Sequence, residues 1–263
     1  MLAPDDRDRL LDAARAHASA GEWSSLRSLL NGREETVSRR PELAFLLAEA
    51  ELRLGDPRTA IPRLGAVLVS LERNGDNAAL RRALNLLGAA YFETGDLASA
   101  EAAFGRALDL AHAERDDLLI ARATNNLGAI ANVHGEHERA LAHYQLAVPA
   151  YQRLGNVLGL AESYHNMAIT FRDARRYDSA DEYERRAIEF AREGGSARLQ
   201  AMAQVGRAEL CLLRGDAHLA DVGARRAALE YAAIPDPVGE ADALRLAGAA
   251  RLAAGASDDA LVA

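Results

Sequence analysis

Three histidines lie close together in the sequence and could in principle bind a metal ion. His134, His137 and His143 follow the pattern H-x2-H-x5-H. This spacing matches neither an HExxH helix nor a known zinc pattern, and no cysteine or paired carboxylate completes a ligand set. We therefore expect surface and turn histidines here, and no metal site.

A second group of polar residues could bind a peptide. Arginine grips a carboxylate with two parallel hydrogen bonds, and asparagine can both donate to and accept from a peptide backbone. Asparagine is also a poor helix former, so its place within helical segments needs a reason. The reason is either ligand binding or hydrogen bonding to neighbouring helices. The residues concerned are Arg82, Arg122, Arg172, Asn85, Asn125, Asn126, Asn132 and Asn166.

The sequence lacks the residues and motifs of several common catalytic mechanisms. All 31 basic residues are arginine, which excludes chemistry that needs a lysine, such as a Schiff base or a P-loop phosphate contact. No nucleophile elbow or dinucleotide-binding glycine motif is present. The single cysteine, Cys211, excludes an internal disulfide, and it falls at a core-facing position where we expect a buried apolar side chain. We expect no enzyme and no cofactor.

Charge and hydropathy narrow the choice of partners. The net charge of −8 and the pI of about 5.4 come without a basic stripe, so nucleic acid is not an expected partner. The opening stretch MLAPDDRDRLLDAARAH carries charges throughout and lacks the apolar segment of a signal peptide. No apolar run approaches the roughly 18 residues of a membrane span. We therefore expect a cytoplasmic protein that does not bind membranes.

The elements that would position these residues are revealed by a sequence repeat of 40 residues. A small residue recurs at this interval, and an alanine follows it at a constant distance in every copy. The small residues are Ala48, Gly88, Gly128, Ala168, Ala208 and Gly248. The alanines are Ala60, Ala100, Ala140, Ala180, Ala220 and Ala260.

Each copy of the repeat predicts two helices joined by a turn. Apolar residues at spacings of three and four precede a glycine such as Gly95 or Gly135, which can adopt the left-handed conformation that ends a helix. Asp96 or Asp216 then caps the second helix. In the last copy, Gly255 predicts the same turn. One such hairpin cannot bury its own apolar face, so neighbouring hairpins must stack.

This pattern resembles the tetratricopeptide repeat family, in a subtype with longer helices and a period of 40 residues. The clearest copy matches at Leu87, Gly88, Tyr91, Ala100, Phe104 and Ala107. The resemblance covers nearly the whole chain. It implies an all-α, right-handed superhelical solenoid of about six to seven stacked hairpins. The departures from the pattern are Arg175 at a turn glycine, Glu51 and Arg251 at an aromatic position, and Leu26 in place of an alanine.

We predict one continuous solenoid domain over residues 1–263. The sequences RNGDN, AERDD and IPDPVG are expected to connect repeats and not to link separate domains. The predicted repeats lie at about 5–40, 41–76, 77–116, 117–156, 157–195, 196–236 and 237–263.

In the tetratricopeptide repeat family, one face of the first helices lines a concave groove. Residues three and four apart share a helix face, so the resemblance assigns a candidate peptide-binding set to this chain. Glu93, Glu162 and Asp173 could instead hold the arginines of this face in structural ion pairs. The candidate set is Arg82, Asn85, Phe92, Arg122, Asn125, Asn126, Asn132, His165, Asn166, Ile169, Arg172 and Met202.

Two functions follow from the resemblance. The first is a scaffold that binds a protein or an extended peptide with acidic side chains or a free C-terminus. The alternative is a regulatory sensor array of a larger bacterial signalling or transcription regulator, part of which is missing here. The register stops part-way through a second helix, at SDDALVA, without a polar capping helix. We therefore expect an apolar end, including Leu252 and Leu261, that favours self-association.

Overall fold

The computed structural model describes the backbone of residues 4–234 and 236–262, and the side chains of residues 9–234 and 236–255. All regular secondary structure in these ranges is α-helical. The helices of the first half are α1 (Pro4–Ser19), α2 (Trp23–Leu30), α3 (Glu34–Ser38), α4 (Pro41–Arg53), α5 (Pro57–Asn74), α6 (Asn77–Thr94) and α7 (Leu97–Glu114). They are followed by α8 (Asp117–Val133), α9 (His137–Arg153), α10 (Val157–Asp173), α11 (Tyr177–Glu193), α12 (Ala197–Leu213), α13 (Ala217–Ala233) and α14 (Pro237–Val262).

Consecutive helices pack against each other as hairpins. Contacts join α4 to α5, α6 to α7, α10 to α11 and α12 to α13, and successive first helices also touch, as α10 does α12 and α12 does α14. This confirms a helical solenoid of the tetratricopeptide type. Each predicted repeat between residues 41 and 236 holds one helix pair, while the segment before it holds α1, α2 and α3.

The turns between helices recur every 20 residues, twice as often as the repeat itself. The turn residue has a positive φ at Gly55, Gly75, Gly95, Arg115, Gly135, Gly155, Arg175, Gly195 and Gly215. The next residue usually caps the following helix, because its side chain accepts a hydrogen bond from the backbone N–H three residues further on. These caps are Asp56, Asp76, Asp96, Asp116, Asn156, Ser196, Asp216 and Asp236. The junctions within repeats and those between repeats therefore share one local geometry.

The helix α14 differs from the prediction. It continues without a turn through Gly255, which has no positive φ. Glycine permits the left-handed conformation but does not impose it, and no proline follows that would stop the helix. The predicted turn at Gly255 is therefore wrong.

The chain divides into two compact units, Met1–Ile130 and Ala131–Ala263, hereafter the first and the second unit. The core of the first unit is rich in leucine and includes the fully buried Leu43 and Leu64. A core cluster of the second unit consists mainly of alanines, such as Ala227, around one tyrosine. The small side chains allow the helix backbones of this unit to approach closely.

Two glycines near the beginnings of first helices make room for a tyrosine ring. A Cβ atom on Gly159 would collide with the ring of Tyr151, and one on Gly239 would collide with the ring of Tyr231. Both rings belong to the preceding second helix and are buried. Each tyrosine therefore fixes the start of a helix, α10 or α14, that carries residues of the candidate site.

Candidate peptide-binding surfaces

In the first unit, a hydrogen bond joins the faces of two first helices. Nδ2 of Asn126 on α8 donates to Oδ1 of Asn85 on α6 over 3.3 Å, and both side chains are half-buried. Among the described residues, no protein group bonds Nδ2 of Asn85 or Oδ1 of Asn126. The asparagine pair thus joins two neighbouring first helices, and both amide hydrogens of Asn85 and the amide oxygen of Asn126 remain unbonded by the described residues.

Two exposed arginines belong to the same two helices. Nε of Arg82 donates to the backbone carbonyl of Ala78 over 3.3 Å, which leaves the rest of its guanidinium in solvent. Arg122 lies one helical turn before Asn126. Burial alone would raise the pKa of Asp116, but the hydrogen bond from Arg81 and the nearby charge of Arg122 are among the causes that lower it.

The remaining predicted residues of the first unit are less accessible. Phe92 is half-buried and packs with Phe104 and Ile130. Asn125 is buried, with only 5% of its surface exposed. A ligand on this face would therefore meet Asn85 and Asn126 before it met either of these two residues.

In the second unit, a recess of about 250 Å³ is lined by the first helices α10, α12 and α14. Ile169, Met202 and Val205 give it an apolar lining. Four residues of the predicted set, His165, Ile169, Arg172 and Met202, come together here. The charged residues that line it are Arg172, Arg198, Glu209, Asp236 and Asp242. The recess combines an apolar surface with charges of both signs.

Arg172 is held by two carboxylates of the protein itself. Its Nε and Nη2 donate to Oδ1 of Asp173 over 3.1 and 3.0 Å. Its Nη1 donates to Oε2 of Glu209 on the neighbouring first helix. Three of the five N–H groups of this guanidinium are therefore bonded, and two carboxylates already share its positive charge.

A buried histidine–glutamate pair lies directly behind the recess. Nδ1 of His165 is 2.9 Å from Oε2 of Glu184, which reaches across from the second helix α11. Burial raises the pKa of Glu184 above its ordinary value of 4.5, and His165 and Arg172 offset part of this rise. A Cβ atom at Gly206 would collide with the carboxylate of Glu184. The glycine in the lining therefore provides the space that the carboxylate occupies.

The two other predicted asparagines of the second unit have different surroundings. Nδ2 of Asn132 donates to Oδ2 of Asp173 over 2.9 Å, while its Oδ1 is buried and accepts no hydrogen bond from the described residues. The side chain of Asn166 is half-buried, and no described residue bonds it. Asn132 thus helps to orient Asp173, the carboxylate that holds Arg172.

The sequence register did not identify the residues that α14 contributes to the recess. Val238, Gly239 and Asp242 line it, together with Tyr231 and Asp236 from the preceding hairpin. The same face arithmetic, applied one repeat further along the chain, would have found Asp242. The position of Asp236 depends instead on its role as the cap of α14.

The other candidates for chemistry are placed as follows. His134 is exposed in a turn, and His137 is the first residue of α9. Within the described ranges, no three His, Cys, Asp or Glu side chains are grouped closely enough to hold a metal ion. Cys211 is half-buried and not fully buried as predicted. No helix among the described residues has the length and apolar character needed to cross a membrane.

Comparison with known proteins identifies the family. The tetratricopeptide repeat profile matches residues 40–113 and 119–193, which is more than half of the chain. The chain therefore belongs to the tetratricopeptide repeat family. It is a protein-interaction scaffold built from helical repeats. No curated protein matches it in sequence.

Solved structures share this fold at low sequence identity. A Rap protein in complex with competence and sporulation factor has a TM-score of 0.71 and 12% identity, over 95% of this chain and 76% of that one. BtubC from P. vanneervenii has a TM-score of 0.60 and 21% identity, over 88% and 92%. A signal-transduction ATPase with a tetratricopeptide repeat sensor, from Pyrococcus horikoshii, has a TM-score of 0.65 and 15% identity, over 92% and 40%.

Proposed function

We propose that this protein binds an extended peptide segment of a partner protein in the recess of the second unit. The observation that carries the proposal is the apolar lining formed by Ile169, Met202 and Val205 on two adjacent first helices. Ile169 and Met202 are half-buried, so each presents part of an apolar side chain to solvent at one concave place. Binding would remove that surface from water, which is favourable in proportion to the area covered.

The size of the recess suits one side chain better than a whole small molecule. Its volume of about 250 Å³ lies below the roughly 300–1,000 Å³ of typical small-molecule pockets. A peptide would insert one apolar anchor residue here and lay its backbone across the neighbouring helices. This mode concentrates the binding energy in few contacts, as is common at protein interfaces.

The first unit supports the same function through backbone recognition. Asn85 and Asn126 face the same side of their helices, and their mutual hydrogen bond holds both amides in place. The free donors of Asn85 and the free acceptor of Asn126 match the alternating groups of an extended peptide. This recognition requires no particular side chain in the ligand.

The first unit would bind the acidic side chains or the free C-terminus of the ligand. Arg82 and Arg122 are exposed there, and Arg122 makes no hydrogen bond with the described residues. An exposed guanidinium can bind a carboxylate in bidentate fashion without first losing a protein partner. The positive charge of Arg172, by contrast, is already shared by Asp173 and Glu209.

Selection from a random peptide library tests the proposal. Twelve-residue peptides displayed on phage would be selected against the full chain, and recovered sequences would be synthesised with a fluorescent label. Ile169→Ala and Met202→Ala should each weaken binding about tenfold, since each removes part of the anchor contact. Leu229→Ala is the matched control, because Leu229 lies on the second helix α13 and is 74% exposed. Unchanged affinity in both recess variants would refute the proposal.

The regulatory-sensor function is the second candidate, and one contact favours it. The buried His165–Glu184 pair links the recess lining to the second helix α11, so a ligand that moved His165 would also disturb the layer behind it. A sensor must bind its signal differently in two conformations. Spin labels on α10 and α11 should report a distance change when a selected peptide is added. An unchanged distance distribution would contradict the sensor function, and only the scaffold function would remain.

Self-association is a further part of the proposal and involves the exposed face of α14. Leu244 and Leu252 are 51% and 78% exposed and lie two turns apart on one side of this helix. Leu261, which was predicted to extend the patch, lies outside the residues whose side chains are described. A second copy of the chain would cover this apolar face. Sedimentation velocity should show a concentration-dependent dimer that Leu244→Glu with Leu252→Glu abolishes.

A further inference from the structure

We infer that the recess of the second unit selects a peptide that carries an arginine or lysine next to its apolar anchor residue. This inference rests on the proposed function, since it assigns a ligand chemistry to the same recess. It differs from the expectation of an acidic ligand, which concerned the arginines of the groove face.

The charges around Arg172 carry the first part of the argument. Asp173 and Glu209 both bond its guanidinium, so two carboxylates share one positive charge. Oε2 of Glu209 accepts from Arg172, but no described residue bonds Oε1 of Glu209, and 41% of the side chain is exposed. Glu209 therefore keeps an exposed acceptor oxygen that a donor of the ligand could reach.

The other guanidinium of the recess, that of Arg198, is also paired with a carboxylate of the protein through one of its nitrogens. Nε of Arg198 donates to Oδ2 of Asp236 over 2.9 Å, and Oδ1 of Asp236 accepts from the backbone N–H of Gly239 as the cap of α14. Asp242 has only a long contact of 3.5 Å with Arg245, and its side chain is 61% exposed. Arg198 is thus paired with Asp236, and Arg172 is shared by Asp173 and Glu209, so neither supplies a positive charge to Asp242.

The charged groups around the recess indicate the charge of the ligand. Three carboxylates line the recess with two guanidinium groups, and Asp173 adds a fourth carboxylate beside Arg172. Arg245, from outside the lining, approaches Asp242 at 3.5 Å, so the carboxylates outnumber the guanidinium groups by one. This negative excess would repel a carboxylate of the ligand and attract an ammonium or guanidinium group. The apolar lining lies in the same recess, so the basic residue and the anchor residue should be close neighbours in the peptide sequence.

The test uses peptides selected on phage against the full chain and a paired substitution. Glu209→Gln with Asp242→Asn removes two charges from the recess at nearly constant shape. Glu189→Gln with Glu193→Gln is the matched control, because it removes two charges from the exposed side of α11 in the same unit. Selected peptides should contain arginine or lysine within about two residues of an apolar residue. Replacing that basic residue by glutamine should weaken binding about tenfold.

A double-mutant cycle then separates the outcomes. The recess charge variant should lose about tenfold in affinity for the basic peptide and nothing for its glutamine analogue, while the control variant binds both like the wild type. Equal loss for both peptides, or no loss for either, overturns the charge inference. If Ile169→Ala still weakens binding in that case, the recess remains the binding site. If Ile169→Ala has no effect either, the proposed function fails together with the inference.

Discussion

Nδ1 of His165 lies 2.9 Å from Oε2 of Glu184, and both side chains are buried. The two residues belong to the two helices of one hairpin, His165 to the first helix and Glu184 to the second. The pair therefore couples the lining of the recess to the layer behind it. A buried carboxylate at this place is costly unless its partners remain in position.

The first prediction concerns the pH dependence of stability. Burial raises the pKa of Glu184 above 4.5, with a further rise from Glu209 and partial offsets from His165 and Arg172. The folded protein thus holds this proton more tightly than the unfolded chain, and the contribution to stability is lost as the pH rises through the raised pKa. Glu184→Gln has no such proton to lose.

Urea unfolding at a series of pH values from 4.5 upward measures this effect as a difference between the wild type and Glu184→Gln. The free energy of unfolding of the wild type should fall relative to that of the variant as the pH increases. Glu189→Gln, on the exposed side of the same helix, should show no such trend. A difference that is constant, or that grows in favour of the wild type, would contradict the assignment.

The second prediction concerns Gly206. Gly206→Ala should lower the free energy of unfolding by about 1–3 kcal/mol, because the new methyl group collides with the buried carboxylate of Glu184. Gly65→Ala is the matched control within α5, since no atom lies within 4 Å of its would-be Cβ. That control should be stabilised by up to about 1 kcal/mol through helix propensity. Equal effects of both substitutions on stability would show that the carboxylate of Glu184 does not occupy the space beside Gly206.

The third prediction tests the repeat register. Ala140 is fully buried in α9, and Ala140→Leu should destabilise the protein by about 1–3 kcal/mol through overpacking. Ala142→Leu places the same side chain on the exposed side of the same helix and should change stability little. Thermal unfolding of the two variants gives the comparison, and an unchanged melting temperature for Ala140→Leu would contradict the register at this repeat.

The fourth prediction concerns backbone strain at Arg175, whose φ is 58°. A residue with a Cβ atom pays about 1 kcal/mol or more in this left-handed conformation, whereas glycine does not. Arg175→Gly should therefore be more stable than Arg175→Ala by about 1 kcal/mol. The alanine variant controls for loss of the arginine side chain. Equal stabilities by urea unfolding would show that the strain is absent.

The sequence was sufficient to predict the helical hairpins and their register. Small residues such as Ala140 and Gly88 must recur where helices approach closely, and this requirement leaves a periodic trace in the sequence. The same trace was not sufficient at two turns. Arg175 adopts the left-handed conformation although it is not a glycine, and Gly255 does not adopt it although it is one. Local sequence permits these conformations, and tertiary contacts decide between them.

The candidate site was likewise predictable from the sequence only in part. Face arithmetic selected His165, Ile169, Arg172 and Met202, and the structure brings these four residues to one recess. The ion pair between Arg172 and Glu209 could not be predicted, because the two residues are 37 positions apart and meet only when the hairpins stack. Whether an arginine is free for a ligand depends on such contacts and not on its position in the register.

The most direct test of the central claim is photo-cross-linking of a selected peptide. p-Benzoylphenylalanine would replace Met202 in the recess or, in a second variant, the exposed Leu229 on the second helix α13. After irradiation, mass spectrometry would measure the fraction of protein joined to the peptide. The account predicts efficient cross-linking from position 202 and background levels from position 229. Cross-linking from position 229 with none from position 202 would contradict it.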